Sequence, residues 1–205
     1  MSLPTADSRP LAGGEPGAPQ PGRAWPGPAP WPDRVYERLL EQRIVMAHGR
    51  LDGEAATRLC AQLLTLDAER NEPVRLELQG LTADLENALT VMGVLDVLRV
   101  PVLAQAAGCL EGPALGVLAA APGRRAYPNA VFRLSEPRVD FEGTAAALAA
   151  HEAQVTVMLD ALYLRLASVT GREVDEIRED TRRGRHLTAA EAVDYGLIQG
   201  QAVRR

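Results

Sequence analysis

The chain has 205 residues, of which 46% are hydrophobic and 24% charged, and its 22 basic residues against 27 acidic ones give a formal net charge of -5. It contains no run of the roughly 20 apolar residues that a membrane span needs, and its N-terminus lacks a basic stretch leading into an apolar one, so we expect no membrane partner, no signal peptide and a cytoplasmic location. The acidic balance, and the lack of an arginine stripe with interleaved aromatic residues, exclude nucleic acid as the main partner.

The first 33 residues differ in composition from the rest. Nine of the 15 prolines lie before residue 33, together with both tryptophans, Trp25 and Trp31. Such a segment has too few backbone donors and too little apolar periodicity to form a core. We therefore predict a disordered or polyproline-like leader at 1–33 and a single domain at 34–205.

The first half of the domain alternates short apolar runs with amphipathic stretches. Residues 43–47 are typical of a buried strand, and Asp52 then precedes a helix with one apolar stripe. The stripe consists of Ala56, Leu59, Cys60, Leu63 and Leu66. Alternating apolar residues predict a second strand at 74–78, a helical pattern covers about 84–98, and a third strand is predicted at 100–106. This order predicts a parallel sheet with right-handed crossovers.

The second half has longer helices. Gly108 opens a turn into an apolar helix at 114–121, a further strand is predicted at 131–134, and a long helix covers about 143–170 and ends at Gly171. A domain this small cannot cover so long a helix, so its apolar residues predict a contact surface for another subunit. These residues include Leu148, Val155, Met158, Leu159, Leu162 and Leu166.

The C-terminal end carries one more helix signal. Residues 188–191 have the pattern of a capping box, in which a threonine hydroxyl and a glutamate satisfy backbone donors at a helix start. Residues 195–198 are expected to end that helix and to begin a final strand.

The domain is poor in side chains that act as nucleophiles or metal ligands. Cys60 and Cys109 have no neighbouring cysteine or histidine at ligand spacing, so we expect two buried free thiols, no metal and no cofactor. The only serines in the domain are Ser135 and Ser168, and its three histidines are His48, His151 and His186. Ser168 lies within the long helix and is expected to be an ordinary polar helix residue.

Several segments spread along the domain match one protein family. They are VYERLLEQRIV at 35–45, AQLLTLDAE at 61–69, TGR at 170–172, IREDT at 177–181 and AEAVDYGLI at 190–198. With these segments the chain resembles the proteolytic subunit of the Clp protease, ClpP, over nearly the whole domain.

This resemblance implies a fold and an assembly. The expected fold is an α/β, crotonase-like spiral of βαβ units, with the long helix at about 143–170 as its handle. The family assembles as heptameric rings of serine endopeptidase subunits, so the resemblance implies homo- or hetero-heptameric rings with other ClpP-like subunits, and an AAA+ unfoldase as a further partner in protein degradation and quality control.

The family's catalytic triad does not carry over onto this sequence. The stretch that matches the nucleophile turn is GCLEGPA at 108–114, which places Gly112 at the nucleophile. The motif that carries the general-base histidine matches Ser135-Glu136-Pro137, so Ser135 stands at the base, and Gly184 matches the aspartate. A serine of ordinary pKa cannot accept a proton near neutral pH, and glycine offers neither a nucleophile nor a carboxylate.

The oxyanion hole of the family is also altered. The glycine pair that supplies one donor matches Thr82-Ala83, and the residue after the nucleophile position is Pro113. Proline has no backbone NH, and the loss of one oxyanion donor typically costs on the order of a hundredfold to a thousandfold in rate. The resemblance thus indicates a pseudoenzyme without intrinsic peptidase activity, which acts as a structural or regulatory ring subunit in the manner of degenerate ClpR-type members.

Two other functions fit the same sequence. The chain could be a homo-oligomeric scaffold outside the Clp system. A crotonase-like enzyme acting on acyl-CoA is the other alternative, with Glu111 and Glu136 as an acid-base pair. A Cys-His dyad would need one of the three histidines to lie beside Cys109, which nothing in the spacing requires. The competing interpretation of the two glutamates is that they face solvent or pair with Arg133 or Arg138.

Overall fold

A computed structural model describes residues 33–137 and 142–202. The predicted leader, apart from its last residue, lies outside this part of the chain, as does Arg138, and the leader and domain boundaries therefore stay a prediction. The elements in chain order are α1 (Asp33–Glu41), β1 (Ile44–Leu51), α2 (Gly53–Glu69), β2 (Val74–Ala83), α3 (Leu85–Val97), β3 (Val102–Ala107), β4 (Cys109–Glu111), α4 (Ala114–Ala120), β5 (Gly123–Ala126), β6 (Val131–Arg133), α5 (Ala145–Thr170), α6 (Val174–Arg182), β7 (His186–Thr188), α7 (Ala189–Asp194) and β8 (Gly200–Gln201).

The strands form two sheets. The larger sheet has the order β1-β2-β3-β5-β8 and all its pairings are parallel. A smaller sheet has the order β4-β6-β7, with β6 parallel to β4 and antiparallel to β7. The α/β class and the parallel sheet predicted from the alternation of strands and helices are confirmed.

The apolar residues that recur periodically in α2 and β2 are the ones that are buried in the core. All five residues of the predicted α2 stripe are buried, and Val74, Leu76 and Leu78 of β2 have no solvent exposure. Removing such side chains from water is the main stabilising contribution to a fold of this kind.

Side-chain caps begin the helices where the sequence predicts them. The Asp52 carboxylate accepts a hydrogen bond from the backbone NH of Ala55 at the start of α2. At α7, Thr188 and Glu191 form the complete capping box, so that two backbone donors are satisfied reciprocally. The long helix α5 begins at the cap Thr144 and ends at Gly171, whose φ of +70° is favoured by glycine.

The handle helix α5 is partly covered by its own domain, which corrects the predicted contact surface. Leu162 and Leu166 are buried within the chain, whereas Leu148 is 51% exposed. The cause lies in α4, where a Cβ on Gly116 would stand 2.5 Å from the Leu162 Cδ1 atom, so the glycine lets α5 approach closely. The exposed apolar face of α5 instead includes Val157 and Leu164.

Three further features differ from expectation. Leu197 and Ile198 are buried but precede the final strand, which begins at Gly200. The turn predicted after Gly108 contains the short strand β4. In addition, Cys109 at the start of β4 is exposed rather than buried, while Cys60 is buried as predicted. Within the described ranges, no helix is long and apolar enough to cross a membrane.

Candidate functional site

The small sheet brings Gly112, Ser135 and Gly184, which the resemblance leads us to expect at the triad positions, to one edge. Gly112 directly follows β4, and Ser135 lies two residues after β6, whose register pairs Glu111 with Arg133. Gly184 lies two residues before β7, which runs antiparallel to β6 with His186 opposite Arg133. The carboxyl ends of β4 and β6 and the amino end of β7 therefore coincide.

Gly112 and Ser135 are direct neighbours. The Gly112 NH donates to the Arg133 carbonyl at 3.0 Å, which holds the turn against β6. A Cβ built on Gly112 would lie 3.4 Å from the Ser135 Oγ and 3.3 Å from the Ser135 carbonyl oxygen. Gly112 has a φ of +58°, a conformation that glycine adopts without strain. A side chain at position 112 would thus begin in contact with the side chain at position 135.

The turn at Gly184 closes the same edge. The Leu134 NH donates to the Arg185 carbonyl at 2.8 Å, and the Gly184 NH donates to the Thr181 carbonyl at 3.1 Å. Gly184 has a φ of +67°, and a Cβ there would meet no atom within 4 Å. The backbone is therefore fixed, and space is open where a side chain would start.

A buried carboxylate supports this turn from behind. Asp180 is 8% exposed and accepts two hydrogen bonds from the Arg185 Nη1, at 3.2 and 3.0 Å, and one from the Tyr195 hydroxyl at 2.7 Å. The Arg172 and Arg185 guanidinium groups lie 4.0 and 5.0 Å from the centre of the Tyr195 ring. Burial raises the pKa of the Tyr195 phenol far above its ordinary value, and the Asp180 hydrogen bond and charge add to the effect.

This support network is absent from the sequence interpretation. The sequence signal that could have indicated it is an aspartate and an arginine, Asp180 and Arg185, on either side of a turn that ends in glycine. Tyr195 comes from beyond α7, so its participation depends on the tertiary packing.

The residues that the resemblance leads us to expect at the oxyanion-donor positions lie at the ends of regular elements. Thr82 and Ala83 are the last residues of β2, in register with Arg50 and Leu51 of β1. Pro113 caps the N-terminus of α4 with a φ of -60°. Since proline carries no NH, position 113 has no backbone donor for an oxyanion.

The two glutamates of the acid-base alternative have different surroundings. The Glu111 Oε1 accepts from the Arg133 Nη1 at 3.0 Å and from the Ser135 Oγ at 3.3 Å. Glu136 is exposed. Burial raises the pKa of the Tyr163 phenol of α5, and the Glu136 charge raises it further. Glu111 thus pairs with Arg133 and Glu136 faces solvent, both as in the competing interpretation.

Cys109 has the surroundings of an unactivated thiol. Partial burial of the sulfur raises its pKa, the Glu111 charge raises it further, and the Arg133 charge opposes them. A reactive cysteine needs the opposite shift, because the thiolate is the nucleophile. Among the candidate partners, His186 is separated from β4 by the intervening strand β6. Ser168 is an exposed residue of α5, as predicted.

The described side chains at this edge form an ion-paired cluster and include no nucleophile with an adjacent base. Glu111, Arg133 and Ser135 form one connected cluster, with Gly112 beside the serine. The Arg133 and Glu111 side chains are 43% and 35% exposed, so water competes for their polar atoms. Such a cluster can hold β4 against β6.

Comparisons with known proteins agree on one family. A model of the Clp protease family matches residues 31–204. The ATP-dependent Clp protease proteolytic subunit 1 of Mycobacterium bovis is 31% identical over 169 residues, which cover 81% of this chain and 84% of the relative. The proteins of the same description from Mycobacterium tuberculosis, strains CDC 1551 and H37Rv, match with the same identity and coverage.

Proposed function

The chain belongs to the Clp protease family, and from this premise we propose that it is a catalytically inactive subunit with a structural or regulatory role in a ring of ClpP-like subunits. In this proposal the chain contributes wall and contact surface to an ATP-dependent protease, and active relatives cut the substrate. An AAA+ unfoldase would be a further partner of the assembled ring.

The contact between Gly112 and Ser135 carries the proposal. The two positions are close enough for a nucleophile to pass its proton to a base, and they hold a hydrogen atom and a hydroxyl group instead. Acyl transfer by a serine peptidase requires a nucleophile that is activated by an adjacent base of suitable pKa. Ser135 donates its hydrogen bond to Glu111, and a glycine cannot attack a carbonyl.

Pro113 supports the same conclusion independently. An oxyanion hole acts through donors that are already in place when charge develops on the carbonyl oxygen. Pro113 follows Gly112 directly and offers no NH. Even with a nucleophile at position 112, the developing negative charge would lack this donor.

The exposed face of α5 supports a role in assembly. Val157 and Leu164 are 69% and 57% exposed and lie seven residues apart, so they share one side of the helix. Exposed apolar residues on one helix side are typical of a surface that another subunit covers. The acid-base alternative is less well supported, because Glu111 is engaged with Arg133 and Ser135.

The first experiment measures peptidase activity in the purified full chain. We expect no cleavage of a fluorogenic peptide, and we expect an active, serine-bearing relative to co-purify with the tagged protein from its own host. Native mass spectrometry would then give the copy number of both subunits. Cleavage by the chain alone would contradict the proposal, and self-assembled rings without a relative would favour the scaffold alternative.

A second experiment separates the missing triad from the missing oxyanion donor. The triple variant Gly112→Ser, Ser135→His, Gly184→Asp places all three side chains, and a quadruple variant adds Pro113→Met, which restores the NH. We expect the triple variant to remain on the order of a hundredfold below the quadruple variant in kcat, since one oxyanion donor has about this effect. Equal rates would show that Pro113 is not an obstacle, and circular dichroism controls for folding.

A further inference from the structure

Glu77 is a carboxylate in the centre of the large sheet. It lies in the middle of β2, where the register pairs it with Met46 of β1 and Gln105 of β3, and it is buried. Strands on both sides hold its backbone, so the side chain stays inside the fold. Because burial disfavours the charged form of a carboxyl group, a buried carboxylate needs several donors or takes up a proton.

The contacts of Glu77 satisfy only part of its carboxylate. The Arg75 Nε pairs with Oε1 at 3.2 Å. Within residues 33–137 and 142–202, the buried Oε2 atom has no hydrogen-bond partner. Burial raises the pKa of Glu77 above its ordinary value of 4.5, whereas the Arg75 charge and the Tyr127 hydroxyl oppose this shift. Oε2 is thus a buried acceptor on which a proton can be held.

The sheet brings no further charge close to Glu77. On the β1 side the nearest titratable residue in register is His48, two residues beyond the position opposite Glu77, and it shares a hydrogen bond of 3.1 Å with Tyr36 of α1. On the β3 side the nearest charged residue in register is Arg125, which lies one strand further away on β5. The charge of Glu77 therefore depends on its own contacts.

Asp67 shows how a carboxylate of similar exposure stays charged when it has enough donors. Its side chain is 11% exposed, against 8% for Glu77. The Asp67 Oδ1 accepts from the backbone NH groups of Val100 and Arg99, and Oδ2 accepts from the Arg99 Nε. These donors, the Val100 NH first, lower the pKa of Asp67, although burial acts in the opposite direction. Glu77 differs from Asp67 in its missing donors.

Arg75 can leave the ion pair, whereas Glu77 cannot. The Arg75 side chain is 46% exposed, so rotation about its side-chain bonds brings the guanidinium into water. We propose that Glu77 is a proton switch, in which the carboxylate holds Arg75 and a proton taken up from solvent onto Oε2 neutralises the carboxyl group and releases the guanidinium into water.

The switch changes the surface of the large sheet alone. Proton uptake forms one O–H bond, breaks no bond within the chain, and raises the charge of the Arg75–Glu77 pair from zero to +1. The pair shares no residue with the edge at Gly112, so the proposal stands whether or not the chain is catalytically active.

Infrared difference spectroscopy detects the proton directly, since the C=O stretch of a protonated carboxyl group is separate from that of a carboxylate. In the full chain we expect a protonated-carboxyl band that persists above pH 4.5, the ordinary glutamate value, and that is missing in Glu77→Gln. Arg75→Gln removes the charge that opposes protonation, so in this variant the band should persist to a higher pH than in wild type.

The stability of two isosteric variants provides a second readout. Because the folded-state pKa of Glu77 is raised, the stability from its protonation is fully present below pH 4.5 and is lost as the pH rises through the folded value. Glu77→Gln mimics the neutral form throughout, so its unfolding free energy relative to wild type should rise with pH. In the matched control Asp67→Asn, the loss should be complete above pH 3.8 and constant from there upwards.

Chemical modification tests the release of Arg75. Phenylglyoxal modifies accessible guanidinium groups, and mass spectrometry gives the ratio of modified Arg75 to modified Arg125, an exposed residue of β5. At one mildly alkaline pH, this ratio should be higher in Glu77→Gln than in wild type, because the variant has lost the carboxylate that holds Arg75.

Any of three results would overturn the proposal. They are a wild-type spectrum without a band that depends on Glu77 above pH 4.5, a stability difference for Glu77→Gln that is as constant with pH as that for Asp67→Asn, and equal modification ratios in Glu77→Gln and wild type. If Glu77→Gln does not fold, Arg75→Gln decides, because it retains the carboxyl group. A band that disappears at the same pH in Arg75→Gln and wild type would then contradict the switch.

Discussion

The front and the back of the candidate site differ in how fully their side chains are engaged. At the front, Gly112 and Gly184 have no side chains, and Ser135 donates one hydrogen bond to a half-exposed ion pair. At the back, the Asp180 carboxylate accepts three hydrogen bonds, two from Arg185 and one from Tyr195. The back thus holds a turn that presents no reactive side chain, so we expect its residues to determine stability rather than chemistry. Four predictions test this difference, and they follow from the largest effect to the smallest.

The largest effect is expected for Asp180→Ala. The change leaves the Arg185 guanidinium and the Tyr195 hydroxyl without their shared acceptor. Because the Arg185 side chain is 42% exposed, we expect a loss near the lower end of the about 3–5 kcal/mol that breaking a fully buried ion pair from one side costs. Urea unfolding followed by circular dichroism measures the loss. The matched control is Asp160→Ala, which removes an ion pair with Arg178 whose side chains are 41% and 46% exposed. Equal losses for the two variants would contradict the role assigned to the back of the site.

The second prediction concerns Tyr195 at alkaline pH. Its folded-state pKa is raised above the ordinary value of 10.0, so the phenol stays protonated in the folded chain at a pH where the unfolded chain begins to release the proton. The corresponding stability is fully present below pH 10.0 and is lost as the pH rises beyond it. Tyr195→Phe should lose about 1.5–3 kcal/mol at neutral pH, the usual contribution of a hydrogen bond to a charged group.

In Tyr195→Phe, the unfolding free energy should also fall less steeply with rising pH in the alkaline range than it does in wild type. The measurement is the unfolding free energy of wild type and of Tyr195→Phe from neutral pH to about pH 11. This range includes the ordinary tyrosine pKa of about 10, where the unfolded chain begins to lose the proton. Parallel curves would show that Tyr195 does not titrate as its burial predicts.

The third prediction returns to the front of the site. Gly112→Ser adds a Cβ at a φ of +58°, in close contact with Ser135, and should cost about 1–2 kcal/mol. Gly184→Ser has nearly the same strain at a φ of +67° but meets no atom within 4 Å, so its cost should be smaller by a few tenths of a kcal/mol. Thermal unfolding of both variants separates crowding from backbone strain. A larger loss of stability at Gly184 would show that crowding against Ser135 does not add to the cost of a side chain at position 112.

Strands β1 to β3 of the large sheet and the helices between them could be predicted from local pattern because they are long enough to show a period, whereas the four-residue strand β5 was not predicted. The α2 stripe spans 11 residues from Ala56 to Leu66 and is confirmed in full. The strands of the small sheet are three residues each, for example Cys109–Glu111, and three residues cannot distinguish alternation from chance. The final strand is shorter still, with two residues, which explains why its predicted start is early.

The residues at the front of the site could be predicted from the sequence, whereas the network at its back could not. Gly112, Ser135 and Gly184 came from the resemblance to ClpP, and the register of β4, β6 and β7 gathers them at one edge. The contacts of Asp180 required the structure, because Tyr195 joins it from beyond α7. The exposure of Cys109 could not be predicted either, since it depends on which side of a three-residue strand faces solvent.

The smallest effect is expected for the ion pair at the front. Arg133 and Glu111 are directly opposite each other in β6 and β4, but both side chains are more than a third exposed, so their coupling should be only about 0.2–1 kcal/mol and should decrease with salt. A double-mutant cycle of Glu111→Ala and Arg133→Ala, measured by urea unfolding at low and high salt, isolates this coupling from other effects of each change. Arg58 and Glu54 on α2, with 67% and 82% exposure, provide a control cycle for a pair that links no strands. If the coupling of Glu111 and Arg133 is several kcal/mol, the front of the site is held as firmly as the Asp180 network at the back. The difference between front and back then no longer holds.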